Sequence, residues 1–154
     1  MSNKKELAMS LFKQGYNCAQ SVFAAFSEDM GMDFEDALRL ASSFGGGMGR
    51  LREVCGAVSG IFAVAGVKYG YTDPQDNEAK ETHYRLIQEL AAAFRAENNS
   101  IICRELLGLD AGPDCPVPEK RTDEYYQKRP CADLVGCAAR LMEEYILKTG
   151  MEEG

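Results

Sequence analysis

A chain of 154 residues, 45% hydrophobic and 27% charged, carries enough apolar material for one packed domain spanning 1–154 and is neither disordered nor low in complexity. A net charge of −7 at pH 7 lacks the basic field that nucleic acid or an anionic membrane surface requires, so neither is expected as a partner. The longest uncharged stretch, 54–67, holds three glycines and falls short of the about 20 apolar residues of a membrane helix, which argues against membrane insertion.

Helical periodicity runs through the chain and strand-like alternation is nearly absent. The spacing predicts a first helix over 4–14, with Leu7, Leu11 and Phe12 on one face and Gly15 as its stop. Asn17 is placed to cap a second over 18–30, with Val22, Phe23 and Phe26 inward, and Asp33 a third over 34–44. The run Gly45-Gly46-Gly47-Met48-Gly49-Arg50 then breaks the helix.

A fourth helix, 54–69, is rich in small residues, including Gly56, Gly60 and Gly66. Each interior glycine costs about 1 kcal/mol against alanine, so close backbone packing at the centre of the fold is expected in return. Asp73-Pro74 opens a fifth helix to about residue 97, with proline in its first position and Ala79, His83, Leu86, Ile87, Leu90 and Phe94 on its apolar face. Ser100 caps a short sixth ending at Gly108, residues 109–130 form a four-proline loop, and a last helix covers 131–148. The sum is an all-α bundle of six to seven helices around a buried small-residue helix.

The N-terminal fifteen residues have lysines but no apolar leader core, so a cytoplasmic location is expected, where structural disulfides are rare. Six cysteines therefore need a reason. None has CxxC spacing and CxxCH is absent, which excludes c-type haem attachment. Cys18, Cys55, Cys103 and Cys131 each fall at the predicted start of a different helix. Unpaired amides and the helix dipole stabilise a thiolate there, the form that serves as nucleophile and as soft-metal ligand. The alternative is that these thiols simply fill space, as buried cysteines often do. Cys115 in the loop and Cys137 in mid-helix lack the placement and read as inert.

The glycine run is not a dinucleotide or phosphate loop, because no strand precedes it and GxxxxGK[ST] is missing. Arg50 with Gly47 and Gly49, beside a helix N-terminus, is a candidate anion or cofactor cradle, and Arg50 and Arg52 would lower the pKa of a nearby Cys55. His83, the only histidine, reads as an inward-facing residue near the fourth helix without a metal bond. The Tyr125-Tyr126 pair is a candidate partner contact.

Gly45-Gly46-Gly47-Met48-Gly49-Arg50 followed by Cys55-Gly56-Ala57-Val58-Ser59-Gly60 resembles the signature of the CGAxxG family, named for a suspected redox role and defined by four cysteines. Asn17-Cys18 resembles the first, Cys55 the second, Ser100-Ile101-Ile102-Cys103-Arg104-Glu105-Leu106 the third, and Cys131-Ala132-Asp133-Leu134-Val135 with Ala138-Ala139 the fourth. The likeness runs from about Leu7 to Tyr145; Cys115 and Cys137 match no family position. A cytochrome branch similar to this domain carries haem and an iron–sulfur cluster, of which only the cluster could carry over here.

The leading expectation is a thiol-based redox protein, an oxidoreductase if an enzyme. In it Cys55 is the low-pKa thiolate, Cys18, Cys103 and Cys131 are its resolving or electron-storing partners, and a redox protein is the partner. The alternative is a module binding an iron–sulfur cluster or zinc through the same four thiolates. A third reading is a non-catalytic helical interaction module. Glycine-rich central packing is also compatible with a homodimer. All four thiols are expected to converge on one site.

Overall fold

The computed structural model describes residues 3–109 and 113–153. The chain is all-α. Its helices are α1 (Lys4–Lys13), α2 (Cys18–Ala25), α3 (Ser27–Met30), α4 (Phe34–Ala41), α5 (Gly56–Tyr69), α6 (Asn77–Asn98), α7 (Cys103–Leu106), α8 (Asp123–Lys128) and α9 (Cys131–Glu153). A 3-10 turn, Ser42–Phe44, follows α4, and the single turn Gly45–Met48 after it is bent by left-handed residues.

Capping chemistry sets most of the starts. Asn17 and Gln20 form a reciprocal capping box at α2, and the side chains of Asp33 and Asp76 accept from the amides of Asp36 and Ala79. Asn17 also donates to the Ser42 carbonyl, tying the start of α2 to the end of the α4 segment. Asn17→Ala is therefore expected to cost about 1–2 kcal/mol, read as a fall in thermal midpoint; an unchanged midpoint would show the cap to be idle.

Helix α2 packs against α1, α4 and α5, and α9 against α1, α2, α5 and α6. Between them lies a core led by Phe12, Phe23, Phe26, Ile61, Phe94 and Met142. Helix α5 sits centrally, as its composition predicts. A side chain on Gly56 would meet the Phe44 carbonyl at 2.9 Å and the Ala19 amide at 3.1 Å, and one on Gly60 would meet Val22 at 3.0 Å. These glycines let α2 and α5 touch backbone to backbone.

Several expectations are corrected. The helix expected over 18–30 breaks at Phe26, and that over 34–44 tightens to the 3-10 turn after Ala41. Pro74 does not open α6. Asp73 closes a turn by accepting from the amides of Gln75 and Asp76, and the helix starts at Asn77 under the Asp76 cap. Ser100 is not the cap of α7, whose boundary residue is Ile102; its hydroxyl accepts from the Ile102 amide and donates to Glu105. Residues 109–130 are not all loop, because α8 lies within them, while 110–112 fall outside the described residues. Leu7 is exposed and Ala8 takes the inward position; Gly66 is exposed with open space where a side chain would go.

Candidate functional site: a four-thiol cavity

Each predicted cysteine sits where helix starts meet. A short antiparallel bridge between Val54 and Ile102 joins the segments entering α5 and α7: Cys55 N–H donates to Ile101 O at 2.7 Å and Cys103 N–H to Glu53 O at 2.6 Å. Cys55 thus stands opposite Ile101 and Cys103 opposite Glu53, on either side of the Val54–Ile102 pair. The close approach at Gly56 sets its backbone 3.1 Å, measured from where a Cβ would stand, from the Cys18 Cβ. Cys131 opens α9, which packs on α2 behind Cys18. Cys18, Cys55, Cys103 and Cys131 all line one cavity of about 440 Å³, and none forms a disulfide.

The glycine run is the frame of this cavity. Gly46, Gly47, Met48, Gly49 and Arg50 all have left-handed φ, between 61° and 71°. Arg52, at φ 61°, adds a third non-glycine residue to the left-handed set in this stretch, after Met48 and Arg50. Such backbone is costly for residues with a Cβ and persists only where its surroundings enforce it. Here the amides of Arg52 and Glu53 close back on the carbonyls of Gly46 and Gly47, and Gly47 lies directly against Cys103. Gly47, Gly49 and Arg50, the expected anion cradle, line the same cavity as the thiols.

Over the cavity runs a strap, 113–130, fixed by arginines. Arg50 donates to the Cys115 carbonyl at 2.7 Å and pairs with Asp114 at 3.2 Å; Arg52 pairs with the same carboxylate at 3.0 Å and reaches Cys103 Sγ at 3.5 Å. Arg52 holds the Asp114 carboxyl below its ordinary range. Glu119 pairs with Arg129 at 2.5 Å. Arg121 donates to the Phe12 and Tyr16 carbonyls and lies 4.1 Å from the Phe12 ring centroid, anchoring the strap on α1.

The four thiols are electrostatically unequal. Cys18 is raised well above the ordinary thiol range, first by hydrogen bonding with Cys131 and then by burial, so it holds its proton. Cys131 is lowered to about 7, first by that hydrogen bond and then by the guanidinium groups of Arg129, Arg121 and Arg52, against the opposing effect of burial. Cys103 is raised by burial, which Arg52 offsets in part. Cys55 is pushed up to about 12 by burial, with the Ala57 and Val58 amides pulling the other way.

This overturns the expectation that Cys55 is the low-pKa thiolate. Cys55 is the residue before α5 rather than part of its first turn, it is sealed in the core, and of the two arginines expected to act on it Arg52 acts on Cys103 and Cys131 while Arg50 pairs with Asp114.

Other candidates lie elsewhere. Cys115 is exposed on the strap, and Cys137, half-buried on α9, faces Asn98 and Arg140. His83 is half-buried beside Tyr71, just past the C-terminal end of α5, and its Nδ1 is buried without a partner among the described residues. Tyr126 packs on Phe12 and donates to the Lys13 carbonyl, so it is an internal contact, while Tyr125 lines the thiol cavity. Sequence reasoning passed over Arg121, Arg129, Asp114 and Glu119, which the strap brings to the site. Their signal was the density of charge within a proline-rich segment.

Fold and site together define an all-α protein with a four-thiol cavity under an arginine-pinned strap. The chain belongs to the family described as "Putative redox-active protein (C_GCAxxG_C_C)", whose model matches residues 16–145. An uncharacterised protein of Archaeoglobus fulgidus is 25% identical over 140 residues, covering 89% of each chain. No solved structure matches.

Among the described residues, no helix is long and apolar enough to cross a membrane. Among the same residues, no group of three or more Cys, His, Asp or Glu side chains is arranged to hold a metal ion.

Proposed function

We propose that this chain is a dithiol redox protein whose reacting pair is Cys131 and Cys18, with Cys55 and Cys103 as a second sulfur couple behind it. The observation that carries the reading is the meeting of four thiols from four helix starts on one cavity, in which Cys18 and Cys131 act on each other's ionisation. Cysteines that merely filled space would have no reason to meet.

In this reading the Cys131 thiolate attacks one sulfur of a disulfide R–S–S–R′. The Cys131–S–S–R bond forms, the old S–S bond breaks, and R′S⁻ leaves to take a proton from water. Cys18 then loses its proton to the second leaving group as its sulfur attacks Cys131 Sγ, releasing RSH and closing the Cys18–Cys131 disulfide. Two electrons pass from the protein thiols to the substrate, and the reverse sequence restores them. Arg129, Arg121 and Arg52 hold the attacking sulfur as thiolate, and the strap limits water around it.

A second reading is favoured by the same four sulfurs together with the N–H groups directed at them, from Ala57 and Val58 at Cys55 and from Arg52 at Cys103. Four thiolates suit an iron–sulfur cluster, and hydrogen bonds to the sulfurs tune its potential. The thiols are not grouped as a cage for one ion, so zinc is disfavoured. A cluster spreads its ligands over several irons, and Cys18, Cys55, Cys103 and Cys131 would be those ligands. When bound it would supply one-electron transfer.

The two readings part on one preparation. Protein purified without oxygen is analysed for iron and labile sulfide, then oxidised and mapped by mass spectrometry. The dithiol reading expects no stoichiometric iron and a reversible Cys18–Cys131 linked peptide. Stoichiometric iron and sulfide, lost in Cys55→Ser, would replace it with the cluster. Thiols that stay inert, with no iron, would leave only the interaction-module reading.

A further inference from the structure

We propose that the cavity takes a small disulfide bearing carboxylates, rather than a disulfide on a folded protein. This rests on the dithiol reading and names its substrate class. It starts from a charge reversal. The chain as a whole carries −7, yet the cavity is lined by Arg50, Arg52, Arg121 and Arg129, against Glu119 in its wall and Asp114 on Arg50 and Arg52. These guanidinium groups come from two separate segments, the stretch after the glycine run and the strap, so no one charged helix face accounts for them.

The strap shows how carboxylates sit there. Asp114 bridges Arg50 and Arg52, and Glu119 pairs with Arg129 while standing 3.8 Å from both of the others. Arg–carboxylate pairing is directional, so these intramolecular acids mark positions that a ligand's carboxylates can take by exchange. Leu106, Leu107, Pro116, Pro118 and Leu134 give the wall an apolar part. Charged groups at one side, an apolar wall and about 440 Å³ describe a small-molecule site.

Access argues the same way. Cys131, Cys103 and Cys55 are 8%, 7% and 5% exposed, beneath the strap. A disulfide carried on a folded protein surface cannot bring its sulfur in line with Cys131 through that cover. A flexible molecule of a dozen or so heavy atoms can.

The test uses the whole reduced chain and small disulfides differing in charge: dithiodipropionate (anionic), hydroxyethyl disulfide (neutral) and cystamine (cationic). Exchange is expected to be about tenfold faster for the anionic than for the neutral probe at low salt, slowest for the cationic one, and levelled by added salt. In Arg50→Gln the anionic-to-neutral ratio should fall toward one. Because that variant could disturb the strap, a binding measurement on the unaltered protein stands beside it. Thiodipropionate, a thioether that cannot exchange, should bind and slow alkylation of Cys131, and its diamide should not. Equal rates for all three probes, or equal protection by acid and diamide, overturn the proposal and leave the dithiol reading standing. Exchange with none of the probes sinks both.

Discussion

Alkylation of the reduced protein at neutral pH is expected to show one fast thiol, and Cys131→Ser to remove it. An ordinary cysteine, at the reference value of 9.0, is only about one per cent thiolate at pH 7, whereas Cys131, lowered to about 7, is about half ionised. With other factors equal, the rate rises by about fiftyfold, tempered by the weaker nucleophilicity of a less basic sulfur. The rate should climb through about pH 7 and level off above it. Exposed Cys115 supplies a separate phase, and Cys115→Ser removes that phase alone; Cys137→Ser should leave both. Cys55→Ser should also leave the fast phase, since burial holds Cys55 at about 12.

The partner of Cys131 gives a sharper readout than its deletion. Cys18→Ala removes the S–H that stabilises the thiolate and should move the midpoint upward, while Cys18→Ser keeps an O–H donor and should restore part of the shift. A merely structural role for Cys18 would not distinguish the two. Linkage works in opposite senses on the pair. The depressed Cys131 contributes stability that is full above its unfolded value and is lost as pH falls through about 7. The raised Cys18 contributes below its unfolded value and loses that contribution as pH rises through its folded one. Only the Cys131 contribution should therefore change between pH 9 and 7, and Cys131→Ser should flatten that slope. A fast phase that survives Cys131→Ser, or that vanishes with Cys55→Ser, would return the nucleophile to Cys55.

What could be read in advance was what local chemistry decides. Asn17 and Asp33 announce their helices because a short acceptor side chain before an apolar-periodic stretch has few other uses. The small residues of α5 announce close packing because nothing else repays interior glycine, and Gly56 and Gly60 are used that way, though exposed Gly66 is not. The convergence of the thiols was legible for the same reason: four thiols at helix starts imply that the starts meet. Their ranking was not. Cys55 has the helix amides and the neighbouring arginines in sequence, but burial outweighs them. Cys131 gains its charge partners from Arg52, Arg121 and Arg129, the first of them far away in the chain. The Val54–Ile102 bridge is too short to leave an alternating pattern, and α8 is a six-residue helix inside a segment whose prolines dominate its local signal. At α6, proline's liking for the first helical position competes with the Asp76 cap, and the cap wins because its side chain satisfies an amide whereas proline only lacks one.

Gly47→Ala is expected to be among the most damaging single-methyl changes the chain can carry. Gly47 sits at φ 71°, where an L side chain costs about 1–2 kcal/mol from local sterics. The added methyl would also stand 2.6 Å from the Cys103 Cβ and 2.9 Å from both the Arg52 Cα and the Glu53 amide nitrogen. Two of those three atoms are backbone and cannot rotate away. Overpacking of this kind adds about 1–3 kcal/mol. At about 2–4 °C per kcal/mol for a domain of this size, the thermal midpoint should fall by roughly 5–15 °C. The displacement is directed as well as costly, because the atoms pushed carry Cys103 and the bridge that holds the Cys55 and Cys103 segments together. Gly47→Ala should therefore disturb the second sulfur couple before it disturbs Cys131, so under mild conditions alkylation of Cys131 should persist while Cys103 becomes newly reactive. Gly66→Ala is the control: on the exposed side of α5 with open space around it, it should leave the midpoint unchanged or raise it, by up to about 1 kcal/mol. Equal midpoints for the two variants would mean that the glycine run is a flexible linker, and the account of it as the rigid frame of the thiol cavity would be lost.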